Sequence, residues 1–177
     1  MLSTIARRLL PVKKKEYHIH VVQYERADMG VGNEEELHWA LILLLPDKDR
    51  MKGLCFQAID RHYRDGSVQW ELFDKEDDLR NTRKCLGGVT IGRLGEADVQ
   101  TLHALVKNML PVSRYQGWNC RDWVMELIQV MTEKGWVPYI IPDQATIIAK
   151  MKEASVATQI AYKTAGGDPV LVPLVDQ

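Results

Sequence analysis

Leu37-His-Trp-Ala-Leu-Ile-Leu-Leu-Leu45 is the stretch whose reading decides the fold. It is apolar apart from His38, and Pro46-Asp47 ends it. A short continuous apolar run bounded by turn residues suits a central strand covered on both faces. On the N-terminal side, Tyr17 to Tyr24 is β-branched and aromatic and predicts a strand, followed by a polar loop from Arg26 to Glu36 that carries Gly30 and Gly32. On the C-terminal side, Gly53 to Asp60 predicts a third strand, and Ser67 to Phe73 alternates as a fourth behind the turn signal Asp65-Gly66. Cys85 to Leu94 is a fifth, with Gly87-Gly88 predicting a bulge or a close backbone approach.

The second half changes period. Glu96 to Leu110 places Val99, Leu102, Val106 and Met109 on one helical face, and Pro111 ends it. Cys120 to Lys134 carries the stripe Cys120, Trp123, Val124, Leu127, Ile128 and Met131, with Asn119 at the N-cap and Gly135 at the stop. Asp143 to Ala165 predicts a third helix. Gly166-Gly167 then breaks the chain before the apolar segment Pro169 to Val175, whose two prolines predict an extended, edge-bound tail that buries Val170, Leu171, Val172, Leu174 and Val175. The expected architecture is one α+β domain over residues 16–165, a mainly antiparallel five-stranded sheet packed with about three helices. A basic arm, residues 1–15, precedes it, and the tail, 166–177, follows.

Composition narrows the function classes. The 177 residues are 46% hydrophobic and 27% charged, which excludes a disordered chain. The longest apolar run is far short of the ~20 residues that span a bilayer, and no apolar segment of that length lies near the C-terminus. Net charge is −1, which gives no electrostatic case for nucleic-acid binding. Arg7, Arg8, Lys13, Lys14 and Lys15 stand in an acid-free start, so the rest of the chain has 18 cations against 24 acids, −6. That start predicts a solvated arm; weak contact with a membrane surface and a mitochondrial transit function are the alternatives. Three cysteines, an odd and sparse count, predict reduced thiols in an intracellular, cytoplasmic setting.

Cys120 opens a helix, where unpaired backbone N–H groups and the positive end of the dipole stabilise thiolate and could hold an oxyanion. The bland alternative is a cysteine that merely begins a buried stripe. His38 begins the most buried-looking strand, where an imidazole is costly unless its nitrogens are used. A thiol nucleophile needs such a base, and the base needs a third group to fix its tautomer; Gln57, between apolar Phe56 and Ala58, could serve. Trp39, Trp118, Asn119 and Trp123 flank these residues and either line an apolar substrate cleft or fill the core.

At this point the sequence resembles a known group. Leu37-His-Trp-Ala-Leu-Ile-Leu is similar to the His-Trp-Ala strand of the permuted papain-like hydrolases, the lecithin:retinol acyltransferase-like branch of the NlpC/P60 superfamily. Trp118-Asn-Cys-Arg-Asp-Trp-Val resembles the Asn-Cys-Glu-His-Phe-Val motif of that branch, and Gly53-Leu-Cys-Phe-Gln-Ala its third-residue strand. The branch places the histidine strand before the cysteine helix, the reverse of papain, and His38 to Cys120 follows that order. Gln57 stands where the acyltransferases carry histidine, and Arg121-Asp122 where they carry Glu-His. The resemblance implies a cysteine-dependent hydrolase or acyl or peptidyl transferase: Cys120 as nucleophile, His38 as base and Gln57 as its orienter. The resemblance further implies a peptide, amide or other acyl-bearing substrate and no cofactor.

Two other classes compete. One is an inactive papain-like binding module presenting Trp39, Trp118 and an exposed acidic loop, Asp74 to Asp78. The other is a zinc protein using His18 and His20, which share a strand face and would need His38 or Cys120 as a further ligand. His103 is expected half-buried on a helix, and His62 and Tyr63 in a solvated turn. Specificity is expected in the loops Gly30 to Glu36 and Arg61 to Ser67.

Overall fold

The computed structural model describes residues 15–44, 51–138, 143–164 and 166–175. The expectations for the basic arm up to Lys14 and for the Leu45–Asp47 strand end lie outside these residues. Six strands form one sheet: β1 (Glu16–Tyr24), β2 (His38–Leu44), β3 (Lys52–His62), β4 (Val68–Asp78), β5 (Cys85–Gly95) and β6 (Leu171–Pro173), in the order β4-β3-β2-β1-β5-β6. All neighbours are antiparallel except β5 and β6. Three helices follow β5: α1 (Val99–Asn108), α2 (Cys120–Glu133) and α3 (Gln144–Thr164). The fold is therefore α+β with a mixed sheet, one strand more than the sequence predicts.

The extra strand is the tail. Leu171 to Pro173 lies beside Gly88 to Thr90, with the Gly88 N–H donating to the Val170 carbonyl and the Leu174 N–H to the Thr90 carbonyl. Proline cannot donate to a ladder, so this segment takes the edge. Val170, Leu171, Val172 and Leu174 are half-buried, but Val175 is 66% exposed, contrary to expectation, because it lies beyond the last strand pair. The Gly87-Gly88 expectation holds in both its forms. The β1–β5 register shifts between Val22 and Tyr24, and a Cβ on Gly87, whose φ is +83°, would stand 2.4 Å from the Val170 carbonyl oxygen.

The acidic run corrects the sequence reading. Asp74 to Asp78 is not a loop but the end of β4, because β3 extends to Lys52 and supplies every one of these residues with a strand partner. Two of the acids have cationic neighbours, Lys52 at 3.2 Å from Glu76 and Lys107 of α1 at 3.8 Å from Asp74, and His103 of α1 hydrogen-bonds Asp74. Arg61 and His62 likewise belong to β3, leaving a shorter turn than expected. The first helix also starts later, because Glu96 to Asp98 forms a 3₁₀ turn.

Both faces of β2 are covered. Trp39, Leu41 and Leu43 pack with Trp123, Val124, Leu127 and Ile128 of α2, while Ala40, Ile42 and Leu44 pack with Val22, Cys55, Leu79 and Cys85 on the other side. The predicted α2 stripe is buried at every position. No helix among the described residues is long and apolar enough to cross a membrane.

Candidate active site

The start of α2 is held by its flanking residues. Asn119 Oδ1 accepts the Arg121 N–H at 2.9 Å, and Asp122 Oδ2 accepts the Asn119 N–H at 2.9 Å. This reciprocal capping box fixes the first turn, so Cys120 is presented at a defined point against the sheet. Gly135, with φ at +75°, stops the helix.

The opposite wall is the splayed end of β2. Its ladder with β3 runs only from Leu41–Phe56 to Leu44–Gly53, whereas with β1 it continues to Tyr24–His38. Trp39 thus has no β3 partner, and its N–H acts on the Cys120 thiol. The His38 imidazole is coupled to the Cys120 thiol, and its Nε2 lies 2.9 Å from Gln57 Oε1. With Nε2–H donating to the amide oxygen, Nδ1 is the nitrogen left for the thiol. Gln57 is itself oriented, since its Nε2 donates to Cys55 Sγ at 3.2 Å, turning the carbonyl oxygen toward His38. His38 and Gln57 are in direct contact, and His38 is coupled to the Cys120 thiol.

Their electrostatics are coupled. Burial is the largest influence on Cys120 and works to raise its thiol. The hydrogen bond and charge of His38, the Trp39 N–H and the charge of Arg121 outweigh it, so the thiol lies below its ordinary value. Burial likewise pulls His38 down, but the Cys120 hydrogen bond and charge and the Gln57 bond outweigh it, and the imidazole titrates above its ordinary value. Cys55 and Cys85 differ: burial dominates and pushes both thiols up to about 12. Of the three thiols, only that of Cys120 lies below its ordinary value.

The expected cleft residues are corrected. Trp39 and Trp123 are fully buried, and Trp118 is 4% exposed. They belong to the core because each faces the helix–sheet interface. The Trp123 indole donates to the Met109 carbonyl, and the Trp118 indole donates to Glu126 and meets Trp70 edge-on at 5.0 Å. Asn119 is engaged as the cap. The groups that face the Cys120–His38 pair are instead Tyr24, whose ring centroid is 6.3 Å from that of His38, and the charges of Arg26 and Arg121. Sequence reasoning missed Cys55, Tyr24 and Arg121. The alternation Cys55-x-Gln57 was the available signal for the first, because residues two apart on a strand share a face.

The zinc alternative is not assembled. His20 Nδ1 is 3.0 Å from Thr90 Oγ1, and burial, with His18 beside it, drops its imidazole to about 3. His20 pairs with Ile42, whereas His38 lies at the far end of the same ladder. Among the described residues, no group of three His, Cys, Asp or Glu side chains could hold a metal ion. His103 is half-buried against Asp74 at 2.9 Å, and exposed His62 bonds Asp60 at 3.0 Å.

Residues 15–156 match a family described as a family of unknown function, DUF6914. The chain belongs to this family. The match takes in β1 through β5, all of α1 and α2, and hence Cys120, His38 and Gln57. No curated protein and no solved structure matches the chain.

Proposed function

We propose that this chain is a thiol hydrolase or acyl transferase with a permuted papain-like site. The observation that carries the proposal is the His38–Gln57 contact of 2.9 Å beside Cys120 at a helix N-terminus, with His38 and the Cys120 thiol coupled. A depressed thiol coupled to an oriented imidazole is the arrangement nucleophilic acyl chemistry needs.

His38 Nδ1 takes the Cys120 proton, and the thiolate attacks the carbonyl carbon of an amide, ester or thioester, forming a C–S bond. The Cys120 backbone N–H and the positive end of α2 stabilise the oxyanion, since the Asn119 cap already occupies the Arg121 N–H. As the tetrahedral intermediate collapses, the bond to the leaving group breaks, and the proton on His38 passes to that group. Water or an acceptor amine or alcohol then gives its proton to His38 and attacks the thioester. The acyl group departs on oxygen or nitrogen, and the proton returns to Cys120. Gln57 holds the imidazole tautomer throughout.

The test is trapping. An activated aryl ester should release a burst of phenol equal to the enzyme present, with the acyl mass retained on Cys120 before slower release. Cys120→Ser should abolish the burst. Absence of both burst and acyl adduct over a range of acyl chains would overturn the proposal. The 2% exposure of Cys120 favours a second reading, a binding module without turnover. That reading requires a thiol whose reactivity midpoint equals the ~8.5 of free cysteine.

A further inference from the structure

Of the two arginines whose charges reach the Cys120–His38 pair, one is tied and one is not. Arg26, which opposes the His38 charge, bonds Asp60 Oδ2 at 2.6 Å. Arg121, the residue after the nucleophile, is half-buried; its backbone N–H is capped by Asn119, but its guanidinium Nε is buried without a hydrogen-bond partner. The charge of Arg121 reaches Glu35 weakly, and that carboxylate bonds Lys152 Nζ at 2.8 Å. Glu34, beside it in the β1–β2 loop, uses only one oxygen: its Oε1 accepts from Ser155 Oγ at 2.6 Å and from the Gly32 N–H at 3.0 Å, while its Oε2 is buried without a partner. The loop is thus held on α3, and Arg121, the residue after the nucleophile, is left as a cation whose charge reaches the Cys120 thiol.

A guanidinium offers five N–H donors in a planar fork that matches a carboxylate bidentately, and burying one of those donors unpaired is costly. Nothing in the fold requires that expense, since Asp122 and Asn119 cap the helix without the Arg121 side chain. We propose that Arg121 is the specificity-determining residue of the site, receiving a carboxylate that the substrate carries beside its scissile carbonyl. The substrate class is an anionic acyl compound or a peptide with a carboxylate at that position. The inference rests on the thiol-acyl reading of the same site and narrows it.

The experiment compares two small alkylating agents of nearly the same shape, iodoacetate and iodoacetamide, on the folded full chain. Both react with thiolate, so the ratio of their rates at Cys120 cancels any change in the thiol's own titration and reports recognition of the carboxylate. Relative to glutathione in the same buffer, the iodoacetate-to-iodoacetamide ratio at Cys120 should be higher by about tenfold or more, the value of one charge-assisted pair. Arg121→Gln should return the ratio to that of glutathione while iodoacetamide still labels Cys120. Arg121→Lys should recover only part of it, because a point charge lacks the fork. A wild-type ratio equal to glutathione's, or one unchanged in Arg121→Gln, overturns the inference and leaves the proposed function standing; full recovery in Arg121→Lys replaces the carboxylate receptor with simple charge steering and also overturns it. Failure of both reagents to label Cys120 selectively overturns the proposed function, and the inference falls with it.

Discussion

Gln57 Oε1 lies 2.9 Å from His38 Nε2, and the same amide donates its N–H to the Cys55 sulfur 3.2 Å away. A side-chain amide is otherwise ambiguous in direction, and the soft acceptor on one side resolves it by leaving the carbonyl as the only group that can take the imidazole proton. One residue from β3 thereby sets which nitrogen of a β2 histidine faces a helix cysteine. Gln57→Leu should cut the rate of Cys120 acylation about tenfold or more, the value of a hydrogen bond of ~1.5 kcal/mol lost from the reactive tautomer. Gln57→His, which restores a polar ring at that position, should retain more activity than the leucine variant. Equal rates for the wild type and Gln57→Leu would remove Gln57 from the mechanism.

The pH dependence follows from the directions of the two shifts. Cys120 is depressed in the folded state, so its contribution to stability is present above the ordinary thiol value and is lost as pH falls through the depressed one. His38 is raised, so its contribution is present below the ordinary histidine value and is lost as pH rises through the raised one. Alkylation of Cys120 against pH should therefore show a midpoint below ~8.5, moving upward in His38→Ala. An unmoved midpoint in that variant would contradict the coupling.

Asn119→Ala removes the acceptor for the Arg121 N–H and half of the capping box. It should destabilise the protein by ~1 kcal/mol, or a melting temperature lower by about 2–4 °C. Cys120 labelling should slow with it, because the first turn of α2 frays. Calorimetry and labelling on the same preparation check both effects.

Deleting residues 168–177 strips β6 from the β5 edge and uncovers the half-buried Val170, Leu171, Val172 and Leu174. Half-burial of four such side chains is worth about 3–6 kcal/mol, so the melting temperature should fall by about 6–24 °C. The deletion leaves Cys120 and its partners in place, so labelling at low temperature should persist.

Where local pattern and tertiary demand agree, the chain was legible. The apolar run around Leu41 had to be a central strand, and the α2 stripe, its asparagine cap and its glycine stop all point to the same helix. Cys120, His38 and Gln57 stand out in sequence because each is a polar or reactive group at a position where burial demands a use, and the His38–Gln57 contact is the part of that reading the fold displays. The acidic residues Asp74 to Asp78 were misread because charge suggests a loop, whereas their strand state depends on the length of β3 and on His103 and Lys107 of α1, both distant in sequence. The tail was recognised as extended, but a parallel pairing across some eighty residues leaves no local signature. Trp39 and Trp123 were ambiguous for a similar reason: an aromatic beside a nucleophile looks alike in sequence whether it lines a cleft or fills the core.

Selective thiol labelling tests the central claim most directly. The native protein is treated at neutral pH with a limiting amount of iodoacetamide, and adducts on Cys55, Cys85 and Cys120 are quantified by peptide mass spectrometry. With Cys55 and Cys85 held at about 12 and Cys120 depressed by His38, the adduct should fall almost wholly on Cys120. His38→Ala should slow that labelling strongly without redirecting it to the other two thiols. Equal labelling of all three cysteines, or Cys120 labelling indifferent to His38, would contradict an activated nucleophile at the start of α2.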